Sequence, residues 1–141
     1  MRALAQRRAR ITRVREVQHL HAVGEAATAE GKVVQLENNA ARLAALRMSL
    51  TLAPGITSGA ALGNAGEMGL RLDTVRHGLS DAIGAAKSIA LARAGDRRDA
   101  DIRRESAERL ETRAVAELQR LIEERMAAGI RHRMRKEAPH G

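Results

Sequence analysis

Leu52-Ala-Pro-Gly-Ile-Thr-Ser-Gly59 is the stretch of this sequence that decides the fold. Pro54 fixes φ and disfavours helix at the residue before it, and Gly55 readily adopts a left-handed conformation. Thr57 and Ser58 belong to the residue types that commonly cap the start of a helix. No other proline occurs before Pro139. The stretch therefore predicts a bend between two long helices.

The composition of the 141 residues points to helices that meet in a narrow seam. The sequence contains no Phe, Tyr, Trp or Cys, and alanine is its commonest residue. Ala, Leu, Arg and Glu favour helix, and a seam needs only two apolar positions in seven. We predict an all-α fold, a long antiparallel two-helix coiled-coil hairpin with unequal arms. As a single domain over 1–141, it has a helix over 3–51, a bend over 52–58, a helix over 59–136 and a short tail over 137–141.

Apolar residues in both arms alternate steps of three and four, which is typical of a coiled-coil seam. The first arm supplies Ala26, Ala29, Val33, Leu36, Ala40 and Leu43, and the second supplies Met68, Leu72, Val75, Leu79, Ala82, Ala86 and Ile89. An antiparallel register in which facing residue numbers sum to 115 pairs these two sets.

Two further expectations follow from this register and from the spacing near the start of the chain. Ile11, Val14, Val17, Leu20 and Val23 step by three. This spacing predicts that the seam rotates or loosens there. The register also places His19 opposite Asp96 and Met1 opposite Ala114. About 20 residues of the second helix would then overhang, a length of roughly 30 Å.

The net charge of +8 is concentrated near the two ends of the chain. Residues 1–15 contain six arginines and no acid, and residues 125–136 contain four arginines and Lys136, again with no acid. An antiparallel hairpin brings both segments to its open end, where an overhanging apolar stripe needs a partner. We therefore predict a partner-binding surface there that is made of Arg7, Arg8, Ile11, Leu118, Ile122, Met126, Arg131 and Arg133.

The residues that usually carry catalysis or bind metals form no recognisable constellation. Without cysteine there is no thiol nucleophile or thiolate site, and no His-Glu-x-x-His pattern occurs. His19 and His21 are two residues apart and so lie on different helix faces. We expect a non-enzymatic protein without catalytic, cofactor-binding or metal-binding residues and without a small-molecule substrate.

The sequence contains no segment typical of membrane insertion or secretion. No run of about 18 apolar residues occurs, and the basic start lacks the apolar region of a secretory signal. An Arg-rich, acid-poor start is also a feature of mitochondrial presequences. The helical pattern that continues through it favours a folded helix instead.

Three features of the chain together resemble the flagellar export protein FliJ family. They are the bend Ala53-Pro-Gly-Ile-Thr-Ser58, the early second-arm pattern Leu62, Ala65, Met68, Leu72 and Val75, and the basic end at Met134-Arg-Lys136. The family is similar in length and forms a long antiparallel two-helix coiled coil. The resemblance covers nearly the whole chain.

This resemblance implies a stalk or coupling component of the flagellar type III protein export apparatus. Its partners would be the hexameric flagellar export ATPase, the cytoplasmic domain of the export gate, and export chaperones. The positions that match the family's gate-docking stripe are Met68, Leu72, Val75 and Leu79. The implied location is cytoplasmic, with peripheral association with the inner membrane.

Other functions remain open from the residues themselves. One alternative is a structural coiled-coil adaptor or the stalk of a related injectisome-type secretion system. A third is a basic helical nucleic-acid-binding protein, which the absence of aromatic residues for base stacking disfavours. Arginine outnumbers lysine 22 to 3. This ratio suits bidentate pairing with carboxylates on an acidic protein surface.

Overall fold

Two long helices make up the chain in the computed structural model, which describes residues 1–52 and 59–138. Helix α1 spans Arg2–Leu52 with 51 residues, and helix α2 spans Gly59–Glu137 with 79 residues. The two helices pack against each other, and the described residues contain no strand, so the predicted all-α hairpin with unequal arms is confirmed. The predicted bend, including Pro54, Gly55 and the capping residues, lies outside the described residues apart from Leu52, and so does the tail after Ala138.

The helices tolerate residues of moderate helix propensity through local hydrogen bonds. The hydroxyls of Thr12, Thr28, Thr74 and Thr112 each donate to the carbonyl oxygen four residues earlier. This bond gives each threonine hydroxyl a hydrogen-bond acceptor within its own helix. At the end of α2, Arg135 and Lys136 stand in the last turn, where positive charge favours the helix dipole. Across 1–52 and 59–138, neither helix has an apolar stretch sufficient to cross a bilayer.

Both helices contribute to each of two compact units. The terminal unit consists of Met1–His21 with Arg98–Gly141, and the central unit consists of Ala22–Arg97. In the central unit, α1 follows the predicted seam. Ala26 is almost fully buried, and the other five predicted seam residues of α1 are half-buried, namely Ala29, Val33, Leu36, Ala40 and Leu43.

The seam of α2 in the central unit differs from the predicted one at every second position. Leu72, Leu79 and Ala86 are shielded as predicted. The alternating positions Met68, Val75, Ala82 and Ile89 are exposed, and the shielded residues are instead Gly69, Ile83 and Ala90. The prediction was wrong for Met68, Val75, Ala82 and Ile89 because the three–four alternation starts at Gly69, one residue later.

The predicted register is wrong by about one helical turn. In the terminal unit the hydroxyl of Thr12 shares its one proton between the carbonyl oxygens of Arg8 at 3.0 Å and Ala107 at 3.3 Å, and the numbers of Thr12 and Ala107 sum to 119. His19 lies 3.9 Å from Asp101 rather than opposite Asp96. In the central unit the interhelical ion pairs give sums that also exceed 115, namely 118 for Glu25 with Arg93, 120 for Arg47 with Asp73 and 124 for Glu37 with Lys87. Sequence spacing alone does not distinguish registers that differ by one turn, whereas these polar contacts do.

The seam of the terminal unit keeps the same heptad spacing, so the predicted rotation of the seam was wrong. Along α1 the shielded positions include Ala5, Arg8, Thr12, Arg15 and His19. The apolar residues Val14, Val17 and Leu20 are exposed. Opposite them on α2 the buried residues are alanines, Ala107 and Ala114. Small side chains on one helix leave room for longer polar side chains on the other, whose heads reach solvent.

Candidate partner-binding surface

The terminal segment of α2, residues 123–137, is exposed at every position. Met126 is 64% exposed, Ile130 56% and Met134 69%. Because these residues are four apart, they lie along one side of the helix. Residues 123–137 correspond to about 22 Å of helix at 1.5 Å per residue. The terminal segment is therefore a helical surface with an uncovered apolar stripe.

Basic residues surround this stripe. Arg131 is three residues before Met134, and Arg133 is seven residues after Met126, so these two arginines border the stripe on its two sides. Arg135 lies on the far side of the helix from Met126. The segment also carries Arg125 and Lys136, and all five side chains are exposed. An apolar stripe with arginines on both sides suits a protein surface that offers apolar area and carboxylates.

Next to the terminal segment, the two helices form a notch where α1 begins. Its volume is about 310 Å³. Its apolar walls are Met1, Leu118, Leu121 and Ile122, and the arginines that line it are Arg2 and Arg125. The three α2 wall residues are half-buried. Of the predicted partner-binding residues, Leu118 and Ile122 meet in this notch, whereas Met126 does not line it.

The predicted residues of α1 lie outside the notch and have different surroundings. Arg7 is exposed, and Ile11 is 37% exposed. Arg8 occupies a seam position and is half-buried. The structure thus brings Leu118 and Ile122 together with the first two residues of the chain, and leaves Arg7 and Ile11 farther along α1.

The four residues that match the gate-docking stripe divide between two faces of α2. Leu72 and Leu79 are half-buried in the seam of the central unit. Met68 and Val75 are each 55% exposed. Leu46 of α1, in the same unit, is 53% exposed. Only Met68 and Val75 of the stripe therefore offer most of their side chain to another molecule.

A polar cluster in the seam of the terminal unit was not anticipated. Arg104 Nη2 donates to Asp101 Oδ1 at 2.6 Å, and Arg104 Nη1 donates to Glu108 at 3.2 Å. The hydrogen bond to Asp101 is the main reason why the pKa of Arg104 lies above its ordinary value. Nδ1 of His19 is buried without a hydrogen-bond partner, 3.9 Å from Asp101. The register predicted from sequence had already placed His19 against α2, but opposite Asp96 rather than near Asp101.

The ion pairs of this cluster hold arginine and carboxylate side chains over the seam. Within residues 1–52 and 59–138 there is no group of three or more side chains that could hold a metal ion.

No family model matches the chain, and comparison with the curated proteins and with the solved structures gives no match either.

Proposed function

We propose that this protein is a non-enzymatic coupling component of the flagellar type III protein export apparatus. In this role it links the hexameric export ATPase ring to the cytoplasmic domain of the export gate and binds export chaperones. It acts in the cytoplasm, in peripheral association with the inner membrane. The proposal extends the resemblance to the FliJ family that the bend and the second-arm pattern carry.

The observation that supports the proposal best is the terminal segment. It has three exposed apolar residues, Met126, Ile130 and Met134, because α1 does not cover this part of α2. Such a stripe is stabilised when a partner covers it. The basic residues around it contribute steering and orientation toward an acidic partner, and the apolar residues contribute affinity.

The exposed pair Met68 and Val75 supports a separate contact with the gate. These side chains are free to lose solvent-exposed area on binding, whereas Leu72 and Leu79 already pack in the seam. We assign the docking contact to Met68 and Val75 and a structural role to Leu72 and Leu79. Replacing Met68 and Val75 with serine should weaken binding to the gate domain while the melting temperature stays close to that of the wild type.

The decisive experiment measures ATP hydrolysis by the purified export ATPase with and without this protein. The variant carries Met126→Ser and Ile130→Ser, two exposed positions whose change should leave the fold intact. We expect the wild type to stimulate hydrolysis and the variant to lose most of that stimulation. The matched control is Leu91→Ser with Ile102→Ser, two residues of the same helix that are 71% and 62% exposed.

Two results would contradict the proposal. In the first, the Met126/Ile130 variant stimulates the ATPase as well as the Leu91/Ile102 control does. In the second, the wild type has no effect on the ATPase. Tight, salt-sensitive binding to DNA in place of ATPase stimulation would favour the nucleic-acid alternative, because counterion release makes such binding fall steeply with salt.

A further inference from the structure

We infer that the notch at the start of α1 binds an acidic peptide segment of the partner, with one apolar side chain inserted between two carboxylate-bearing residues. The inference rests on the proposed function only for the identity of the partner that supplies this segment. The chemistry of the segment follows from the residues of the notch itself.

The apolar walls define what enters the notch. Met1, Leu118, Leu121 and Ile122 surround a volume of about 310 Å³, which accommodates a large aliphatic side chain. The apolar walls come from Met1, directly before α1, and from α2, so the site is concave rather than a flat apolar face. A single buried anchor in such a recess is the common arrangement of strong interface contacts.

The arginines define what must flank the anchor. Arg2 and Arg125 both line the notch, and both are exposed. Guanidinium groups pair with carboxylates through two parallel hydrogen bonds, so one arginine from each helix suits an acidic residue on either side of the anchor. On the α1 side the surrounding sequence strengthens this preference, since residues 1–15 contain no acid, whereas on the α2 side Glu123 and Glu124 directly precede Arg125.

A concave notch also favours a peptide over a lipid surface. An interfacial helix presents a continuous exposed apolar face to a membrane. Here Leu118, Leu121 and Ile122 are half-buried against the start of α1, and only a protruding side chain can reach between them. Anionic vesicles therefore serve as the competing ligand in the test.

The test is fluorescence polarisation with the full-length protein and three short labelled peptides. The first peptide has one leucine within a run of Asp and Glu, the second has alanine in place of that leucine, and the third has lysine in place of every acid. We expect the first to bind, the second to bind about tenfold more weakly and the third not to bind. Vesicles that contain phosphatidylserine are assayed by co-sedimentation.

Two variants with matched controls locate the binding site. Arg2→Gln with Arg125→Gln should weaken binding of the acidic leucine peptide about tenfold, and Ile122→Asn should weaken it similarly. The controls are Arg98→Gln with Arg103→Gln, and Ile102→Asn, all exposed positions outside the notch. Circular dichroism melting confirms that each variant folds.

The inference is overturned if the acidic leucine peptide fails to bind, if all three peptides bind equally, or if notch and control variants bind alike. Binding to anionic vesicles without binding to the peptide also overturns it. ATPase stimulation by the same variants separates the two proposals. Peptide binding without any stimulation by the wild type rejects the coupling function but keeps the notch. Stimulation of the ATPase without peptide binding rejects the inference about the notch but keeps the coupling function.

Discussion

The guanidinium of Arg47 lies directly over the backbone of Gly69, with its Nη1 only 2.6 Å from the position that a Cβ would occupy there. The Nε of the same side chain donates to Asp73 Oδ1 at 3.3 Å. Arg47 on α1 thus crosses a glycine of α2 to reach a carboxylate one turn farther along. Gly69 is the shielded seam residue that permits this crossing.

Gly69→Ala should therefore stabilise the protein less than an ordinary glycine replacement in a helix. Alanine gains up to about 1 kcal/mol in helix propensity. Its methyl group would displace the Arg47 guanidinium and disturb the pair with Asp73, a loss of at most about 1 kcal/mol for an exposed pair. We expect a near-zero change in the free energy of unfolding, measured by urea denaturation.

Gly78→Ala is the matched control for this substitution. Gly78 is exposed on the same helix, and nothing lies within 4 Å of an added Cβ. Its replacement should raise stability by about 0.5–1 kcal/mol. In an Arg47→Ala background, Gly69→Ala should raise the free energy of unfolding by the same amount as Gly78→Ala does. If Gly69→Ala equals Gly78→Ala in the wild type, the contact with Arg47 has no energetic weight.

Leu79 and Val75 should respond differently to truncation, although the sequence places both in one stripe. Leu79 is half-buried in the seam, and Leu79→Ala should cost about 1–3 kcal/mol, below the usual range for a fully buried leucine. Val75 is 55% exposed, and Val75→Ala should change stability by less than about 0.5 kcal/mol. Equal losses in chemical denaturation would mean that Val75 belongs to the seam after all.

Paired cysteines can test the register directly, because the sequence contains no cysteine of its own. Thr12→Cys with Ala107→Cys should oxidise to a disulfide within one chain, since the two residues are already in contact. Thr12→Cys with Arg103→Cys, the pair that a sum of 115 would bring together, should not. Non-reducing gel mobility reports the cross-link. Preferential oxidation of the second pair would restore the register inferred from sequence.

The all-α fold was predictable because helix formation depends on local signals. The α1 seam from Ala26 to Leu43 was predictable as well, since its apolar residues form a single stripe. On α2 two stripes overlap and share Leu72, Leu79 and Ala86. A count of apolar residues assigns Met68 rather than Gly69, and Val75 rather than Arg76, to the seam. The packed helices select the other stripe, in which a glycine allows close approach.

The candidate surface was predictable in part for a similar reason. Leu118, Ile122 and Met126 stood out as apolar residues that the shorter arm could not cover. The notch was not foreseen, because its formation depends on where α1 begins relative to α2. The predicted register placed Met1 opposite Ala114. In the structure, which differs from that register by one turn, Met1 lies beside Leu118 and Ile122. Arg2 and Arg125 become the flanking charges of the notch only in the observed register.

The alanine seam has a calorimetric consequence. Among the described residues, the buried hydrophobic side chains are Ala26, Ala86, Ala107 and Ala114, with no large side chain fully enclosed. Unfolding therefore hydrates little additional apolar surface, and apolar hydration is the main positive contribution to the heat-capacity increment. That increment should fall below the usual 12–15 cal/mol/K per residue, roughly the range for globular domains. Differential scanning calorimetry should show a broad transition and a flat stability curve, so warming and cooling change the free energy of unfolding only gradually.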